Sequence, residues 1–149
     1  FATMVQQLTE QLDREVKTDE IYDSLISNYI VESGPYKLVN YDLLSGKDQG
    51  QRCVARVEIS NSLVTIDGEG SGPIEAFVNA MADTLNEPIV VLDYREHSLG
   101  TGTDAQAICV LAIEDNVNKK RFYGIGLSRN TITASLTAIV SALNRRWNA

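Results

Sequence analysis

Apolar residues recur at helical spacing through the first 32 positions of the chain. Phe1, Met4, Val5, Leu8, Leu12 and Val16 form one stripe, and Ile21, Tyr22, Leu25, Ile26, Tyr29 and Ile30 form another. Thr18 can cap the second helix, with Asp19 and Glu20 in its first turn where negative charge suits the helix dipole, and Gly34-Pro35 ends it. Each helix has a single apolar face and must pack on something, such as a neighbouring domain. From Tyr36 the period shortens to that of strands. Segments 36–44, 52–59 and 63–68 read as three strands, separated by the turn-rich run Ser45 to Gly50 and by Ser60-Asn61-Ser62. A helix follows over 73–85, opened by Pro73 at its first position and stopped by Asn86-Glu87-Pro88. The order then repeats, with strands over 89–98, 105–114 and 121–125 and a helix over 131–147 whose apolar side is Ile132, Leu136, Ile139, Val140 and Leu143.

The repetition extends to individual residues. Leu38-Val39-Asn40-Tyr41 resembles Val91-Leu92-Asp93-Tyr94 at an offset of 53. Cys53 matches Cys109, and Gly68-x-Gly70 matches Gly124-x-Gly126, both at an offset of 56. Each glycine pair precedes a helix bearing two alanines four apart, Ala76 and Ala80 in one and Ala134 and Ala138 in the other. The chain therefore reads as two βββα units. One such unit leaves part of its apolar sheet uncovered, and a second unit or a second chain would bury it.

Composition narrows the function. A chain of 149 residues can bury roughly 70% of its unfolded surface and needs no disulfide or metal for stability. The formal net charge of −7, with the basic residues scattered, argues against nucleic acid as a partner. Apolar runs such as 108–113 are far short of the ~20 residues of a membrane span, and no signal peptide is visible, so cytoplasmic residence is expected. The chain begins at Phe1 rather than Met, which suggests a fragment or a processed product. The two cysteines are far apart, in apolar runs, without metal-ligand spacing, and read as small buried thiols.

Motifs for chemistry are sparse. Gly68-Glu69-Gly70-Ser71-Gly72-Pro73 has Pro where a dinucleotide fingerprint needs its third glycine, and the flanking strands form a meander rather than a βαβ unit. The only histidine, His97, follows Glu96 and could form an acid–base pair with it, but a single histidine reads more readily as a surface or hydrogen-bonded residue. Glu58, Asp67, Glu69 and Glu75 read as a solvated rim. With no nucleophile–base pair or metal set, a free-standing enzyme is disfavoured. The glycine-rich strand-to-helix turn has two readings. Its glycines let a ligand approach the backbone at a helix N-terminus suited to a carboxylate, beside small residues Ala76, Ser98, Ala105 and Ala107. Alternatively, Gly and Ala simply permit tight packing of helix on sheet.

Four blocks carry a family resemblance. The segment from Gly68 to Phe77 resembles the GxGxGPxxA segment of the regulatory domain of 2-isopropylmalate synthases. Leu92-Asp93-Tyr94-Arg95-Glu96-His97 followed by Asp104-Ala105-Gln106-Ala107 is similar to that family's next block. Tyr123-Gly124-Ile125-Gly126, and Thr133 to Leu136 through Ala142 to Arg145, are similar to its C-terminal block. The resemblance runs from Tyr36 to Arg145, and the N-terminal helices resemble the family's linking segment.

The resemblance implies an α+β fold: two βββα pseudo-repeats forming an effector-binding dimerisation domain over 35–149, preceded by two linking helices over 1–34. It implies a homodimer and a parent enzyme that joins acetyl-CoA to 2-oxoisovalerate in a separate, metal-dependent barrel, with no cofactor in this segment. It implies that L-leucine, or another branched-chain amino acid, binds here and inhibits the parent at a distance. Carried over, the effector site comprises Gly70 and Gly72 with Ile74 and Glu75 beside them. It also takes Val91, Tyr94 and Ser98 from the next strand, Asp104, Ala105 and Ala107 from the following block, and Ile132 from the last helix. In this scheme the effector's carboxylate meets backbone N–H groups at Gly70 to Gly72, and its ammonium meets Asp104 or Glu75. Its side chain lies among Val91, Ala105, Ala107 and Ile132. Glu75 stands where a smaller residue is often found, and Ser98 where Ala is common; both could shrink or polarise the pocket. Two alternatives stay open: an isoleucine-sensing regulatory domain of the citramalate synthase type, and a dimerisation module that binds no ligand.

Overall fold

A computed structural model of the chain describes residues 34–99 and 105–149. The two helices expected over the first 32 residues, and the candidate Asp104, lie outside the described residues. Period-two burial builds the first sheet: along β2 (Gln51–Ile59), Cys53, Ala55 and Val57 are fully buried while Val54, Arg56 and Glu58 face the other way. β1 (Tyr36–Ser45) and β3 (Ser62–Gly70) flank β2 in an antiparallel meander. The turn between β2 and β3 is two residues long, with Ser60 and Asn61 both at positive φ, the backbone that matches strand twist in a tight hairpin. Helix α1 (Pro73–Leu85) follows, opened by Gly72 and Pro73 and closed by Asn86 in the left-handed conformation.

The second unit repeats the plan with β4 (Val90–Leu99), β5 (Gln106–Glu114), β6 (Arg121–Ser128) and α2 (Thr131–Trp147). Asn130 caps α2 by accepting the Thr133 N–H at 3.1 Å. The two pairs of sheet and helix share one core, in which Phe77, Met81, Leu111, Ile113, Leu136, Ile139 and Leu143 are fully buried. The architecture is thus α+β with two βββα units, as the alternation of periods implies.

Three details depart from the sequence reading. β3 runs on through Gly68 and Gly70, so only Ser71 and Gly72 form the turn into α1. β6 extends to Ser128, past the 121–125 expected from its apolar residues. The glycine pairs also match differently. Cys53 stands opposite Gly68, and Cys109 opposite Gly126. A Cβ on Gly68 would meet the Ala76 carbonyl and the Ala80 nitrogen, and one on Gly126 would meet the Ala134 carbonyl and the Ala138 nitrogen. Gly68 therefore corresponds to Gly126, at an offset of 58, and not to Gly124. The cause is the turn between β5 and β6, which is longer than the Ser60-Asn61 turn and moves everything after it by two positions.

The first sheet is tied to the second helix by three hydrogen bonds. The Asn144 side chain accepts the Tyr36 N–H at 2.9 Å and donates to the Tyr36 carbonyl at 2.9 Å, so its amide acts as an extra strand residue beside β1. The Tyr41 hydroxyl meets the Thr133 hydroxyl at 2.6 Å. At the same end as Asn144, Arg146 pairs with Glu87.

Candidate functional site

The start of α1 lies where β3, the helix and the edge strand β4 converge. Pro73 has no N–H, and Gly72 has no side chain to cap the helix, so the first helical donors, at Ile74 and Glu75, receive no side-chain cap. They present the positive end of the helix dipole. Beside them is a hollow of about 410 Å3, lined by Ser71, Gly72, Pro73, Ile74, Glu75, Val78 and Val91. That size falls within the roughly 300–1,000 Å3 of small-molecule pockets. Its walls are mainly apolar, from Ile74 and Val78 one helical turn apart and from Val91 across the gap on β4. Its polar groups gather at one end, where Ser71 Oγ donates to Glu75 Oε2 at 2.7 Å.

The two flanking glycines have different tasks. A Cβ on Gly70 would lie 2.7 Å from the Ala76 nitrogen and 2.8 Å from the Glu75 side chain, so Gly70 lets the helix sit down on β3. A Cβ on Gly72 would meet nothing within 4 Å, so that position opens onto free space. The packing reading of the glycine turn applies to Gly68 and Gly70, whereas Gly72 borders the hollow.

Five sequence candidates gather here: Gly72, Ile74, Glu75 and Val91 in the lining, and Gly70 directly beneath Glu75. Tyr94 lies within the irregularity in register between Leu92 and Arg95 of β4 and does not line the hollow. Its hydroxyl donates to Glu96 at 2.8 Å and meets the Ser135 hydroxyl of α2 at 2.7 Å. Burial pushes this hydroxyl's pKa up to about 12; the Ser135 bond opposes the rise and the Glu96 carboxylate adds to it. Cys109 lies in the same cluster, and burial pushes its thiol up to about 11, as it does that of Cys53. Both thiols are free and fully buried, and stay protonated at neutral pH. Ser98 stands opposite Ala107 at the far end of β4 from Val91, and Ala107 is buried on the same face as Cys109. Ala105 immediately precedes β5. Ile132 is half-buried at the start of α2, at the position Ile74 holds in α1. None of these last four lines the hollow beside α1.

The sequence reading missed Ser71, Pro73 and Val78 as lining residues and Ser135 as the partner of Tyr94. Val78 was within reach, since it lies one turn beyond Ile74 on the same helical face. Ser135 required the repeats to be aligned at the corrected offset. Among the described residues no group of three or more His, Cys, Asp or Glu side chains could hold a metal ion, and no helix is long and apolar enough to cross a membrane.

Comparison with known proteins places this arrangement. The family model described as the LeuA allosteric (dimerisation) domain matches residues 15–147. The chain belongs to this family. Proteins similar to the chain include the 2-isopropylmalate synthase of Cupriavidus taiwanensis, 32% identical over 149 residues and covering 100% of this chain. That of Rhizobium meliloti is 37% identical over 149 residues, and that of Clostridium acetobutylicum 31% identical over 150, each covering 97% of this chain. The chain spans about a quarter of the length of these relatives, 25% of the first and 26% of the other two. The β3–α1 hollow is thus a feature of a LeuA allosteric (dimerisation) domain.

Proposed function

We propose that this chain is the regulatory part of a 2-isopropylmalate synthase, that it binds a branched-chain amino acid, L-leucine foremost, and that it pairs with a second copy of itself. Leucine is the product of the pathway in which the parent condenses acetyl-CoA with 2-oxoisovalerate, so its binding inhibits the parent by feedback. The condensation, and the divalent metal it uses, belong to a separate barrel. The observation that carries the reading is the hollow at the start of α1, where an apolar wall and uncapped N–H groups stand side by side. A free amino acid offers the matching surfaces. Its carboxylate lies on the N–H groups of Ile74 and Glu75, its ammonium meets an acidic partner, Glu75 or Asp104, and its branched side chain lies against Ile74, Val78 and Val91. Tyr94, Ser98, Ala105, Ala107 and Ile132 complete the site once effector and partner subunit are in place.

Burying a leucine side chain contributes about 1.5–3 kcal/mol. Micromolar affinity needs about 8 kcal/mol, so the charged ends supply most of the remainder. A preference of the effector for one quaternary arrangement, by about 1–3 kcal/mol, suffices for allosteric inhibition.

Gly72 gives the test. Because nothing stands within 4 Å of a Cβ there and its φ of −150° suits any residue, Gly72→Leu leaves the fold intact while filling the mouth of the hollow. Calorimetric titration of the 149-residue chain should show L-leucine, L-isoleucine or L-valine binding to the wild type, with affinity for the preferred one falling at least tenfold in Gly72→Leu at nearly unchanged melting temperature. Equal affinity in the two proteins would place the effector elsewhere.

A further inference from the structure

The two halves differ at one joint. Tyr41 on β1 and Tyr94 on β4 hold equivalent positions: Tyr41 stands just past the irregularity between Leu38 and Asn40, opposite Ala55, and Tyr94 stands within the irregularity between Leu92 and Arg95, beside the matching stretch of β5. Tyr41 reaches out of its own half, to Thr133 in the first turn of α2. Tyr94 stays in its own half and bonds Ser135. The helix residues at the matching position differ in what they offer a tyrosine. Position 77 of α1 corresponds to position 135 of α2 at the offset of 58. Phe77 is fully buried in the core against which Tyr41 packs, and it offers no hydrogen-bonding group to a tyrosine hydroxyl. Ser135 is small and polar, and receives Tyr94. The counterpart of the Tyr41–Thr133 bridge, between β4 and the first turn of α1, is therefore missing, and the hollow lies in that place. By the same offset, the residue of α1 that corresponds to Thr133 is Glu75.

We propose that the ligand supplies the missing bridge, with Glu75 as the residue that makes the hollow choose α-amino acids over 2-oxo acids of the same carbon skeleton. This rests on the reading that the hollow binds a branched-chain amino acid. Thr133 offers a hydroxyl, which can donate or accept, to the Tyr41 hydroxyl. Glu75 offers a carboxylate, which only accepts, so its partner must donate. Ser71 Oγ holds Oε2, and Oε1 accepts no hydrogen bond among the described residues. An ammonium placed there gains a charge-assisted hydrogen bond. A 2-oxo acid has only a carboxylate and a carbonyl to present, and the negative charge of Glu75 opposes both. The distinction matters in an enzyme family that handles a branched 2-oxo acid as substrate: the hollow must answer to the amino acid and ignore its oxo counterpart. Positively charged nitrogen toward Glu75 and branched carbon toward Val91 also join α1 to β4, as Tyr41 joins β1 to α2.

The test is calorimetric titration of wild type, Glu75→Gln and Glu75→Ala with L-leucine and with 4-methyl-2-oxopentanoate. Glu75 is exposed, so both variants fold, which their melting curves would confirm. Wild type should bind leucine at least tenfold more tightly than the oxo acid. Glu75→Ala should weaken leucine about tenfold and leave the oxo acid unchanged or tighter, with Glu75→Gln between. If leucine binds but Glu75→Ala keeps the full preference, the ammonium is held elsewhere and this inference fails while the effector reading stands. If no branched-chain amino acid binds the wild type, the effector reading itself fails.

Discussion

Gly126→Ala is expected to destabilise the domain by about 3 kcal/mol, a fall of about 10 °C in Tm for a chain of this size. The added methyl would run into the carbonyl oxygen of Ala134 and the nitrogen of Ala138, which are backbone atoms of α2 and cannot rotate aside. Relief requires α2 to lift from β6, which opens the core around Leu136, Ile139 and Leu143. Gly68→Ala meets the same obstacle in the first half, with the Ala76 carbonyl and the Ala80 nitrogen both 2.5 Å from the new carbon. Gly72→Ala is the control: it introduces the same methyl into open space. Differential scanning calorimetry of the three variants checks the contrast. A Gly126→Ala protein that melts with the wild type would mean that the helix does not rest on the strand at this distance.

Asn144→Leu should be almost as damaging, by about 3 kcal/mol, for a polar reason. The residue is only 6% exposed, and its amide is the partner of both the N–H and the carbonyl of Tyr36. Leucine matches its size but leaves those two backbone groups without partners, and an unsatisfied buried polar group costs about 1–3 kcal/mol. The loss falls on the joint between the first sheet and the second helix. Urea unfolding followed by circular dichroism would show it as a lower midpoint. A midpoint equal to wild type would mean that the Asn144–Tyr36 pair is not a structural tie.

Much of the fold could be read from local pattern. Pro73 and Asn86 bracket α1, the Ser60-Asn61 pair closes a hairpin, and the alternation of Cys53, Ala55 and Val57 identifies a strand with one buried face. These signals are local and need no knowledge of the partner element. The glycine pairs were harder to place because pairing by identical letters assumes equal turn lengths, and the β5–β6 turn is longer than its counterpart. The strand-to-helix boundary after Gly70 was misplaced for a related reason: a glycine that admits a helix looks, in sequence, like a glycine that makes a turn.

The candidate site was legible in part. Ile74, Glu75 and Val91 were named because their blocks resemble those of a known regulatory domain, and all three line one hollow. The direction of Tyr94 was not legible. It depends on the hydroxyl at position 135, in a helix 41 residues away, where α1 has Phe77 at the matching position. That is tertiary information, and no periodicity along β4 contains it.

The most direct test of the account is a crystal structure of the chain grown with saturating L-leucine. The account predicts one leucine in the hollow between the start of α1 and Val91, its carboxylate on the N–H groups of Ile74 and Glu75 and its side chain against Ile74 and Val78. A structure in which leucine is bound on another surface, with this hollow filled by solvent alone, would contradict it.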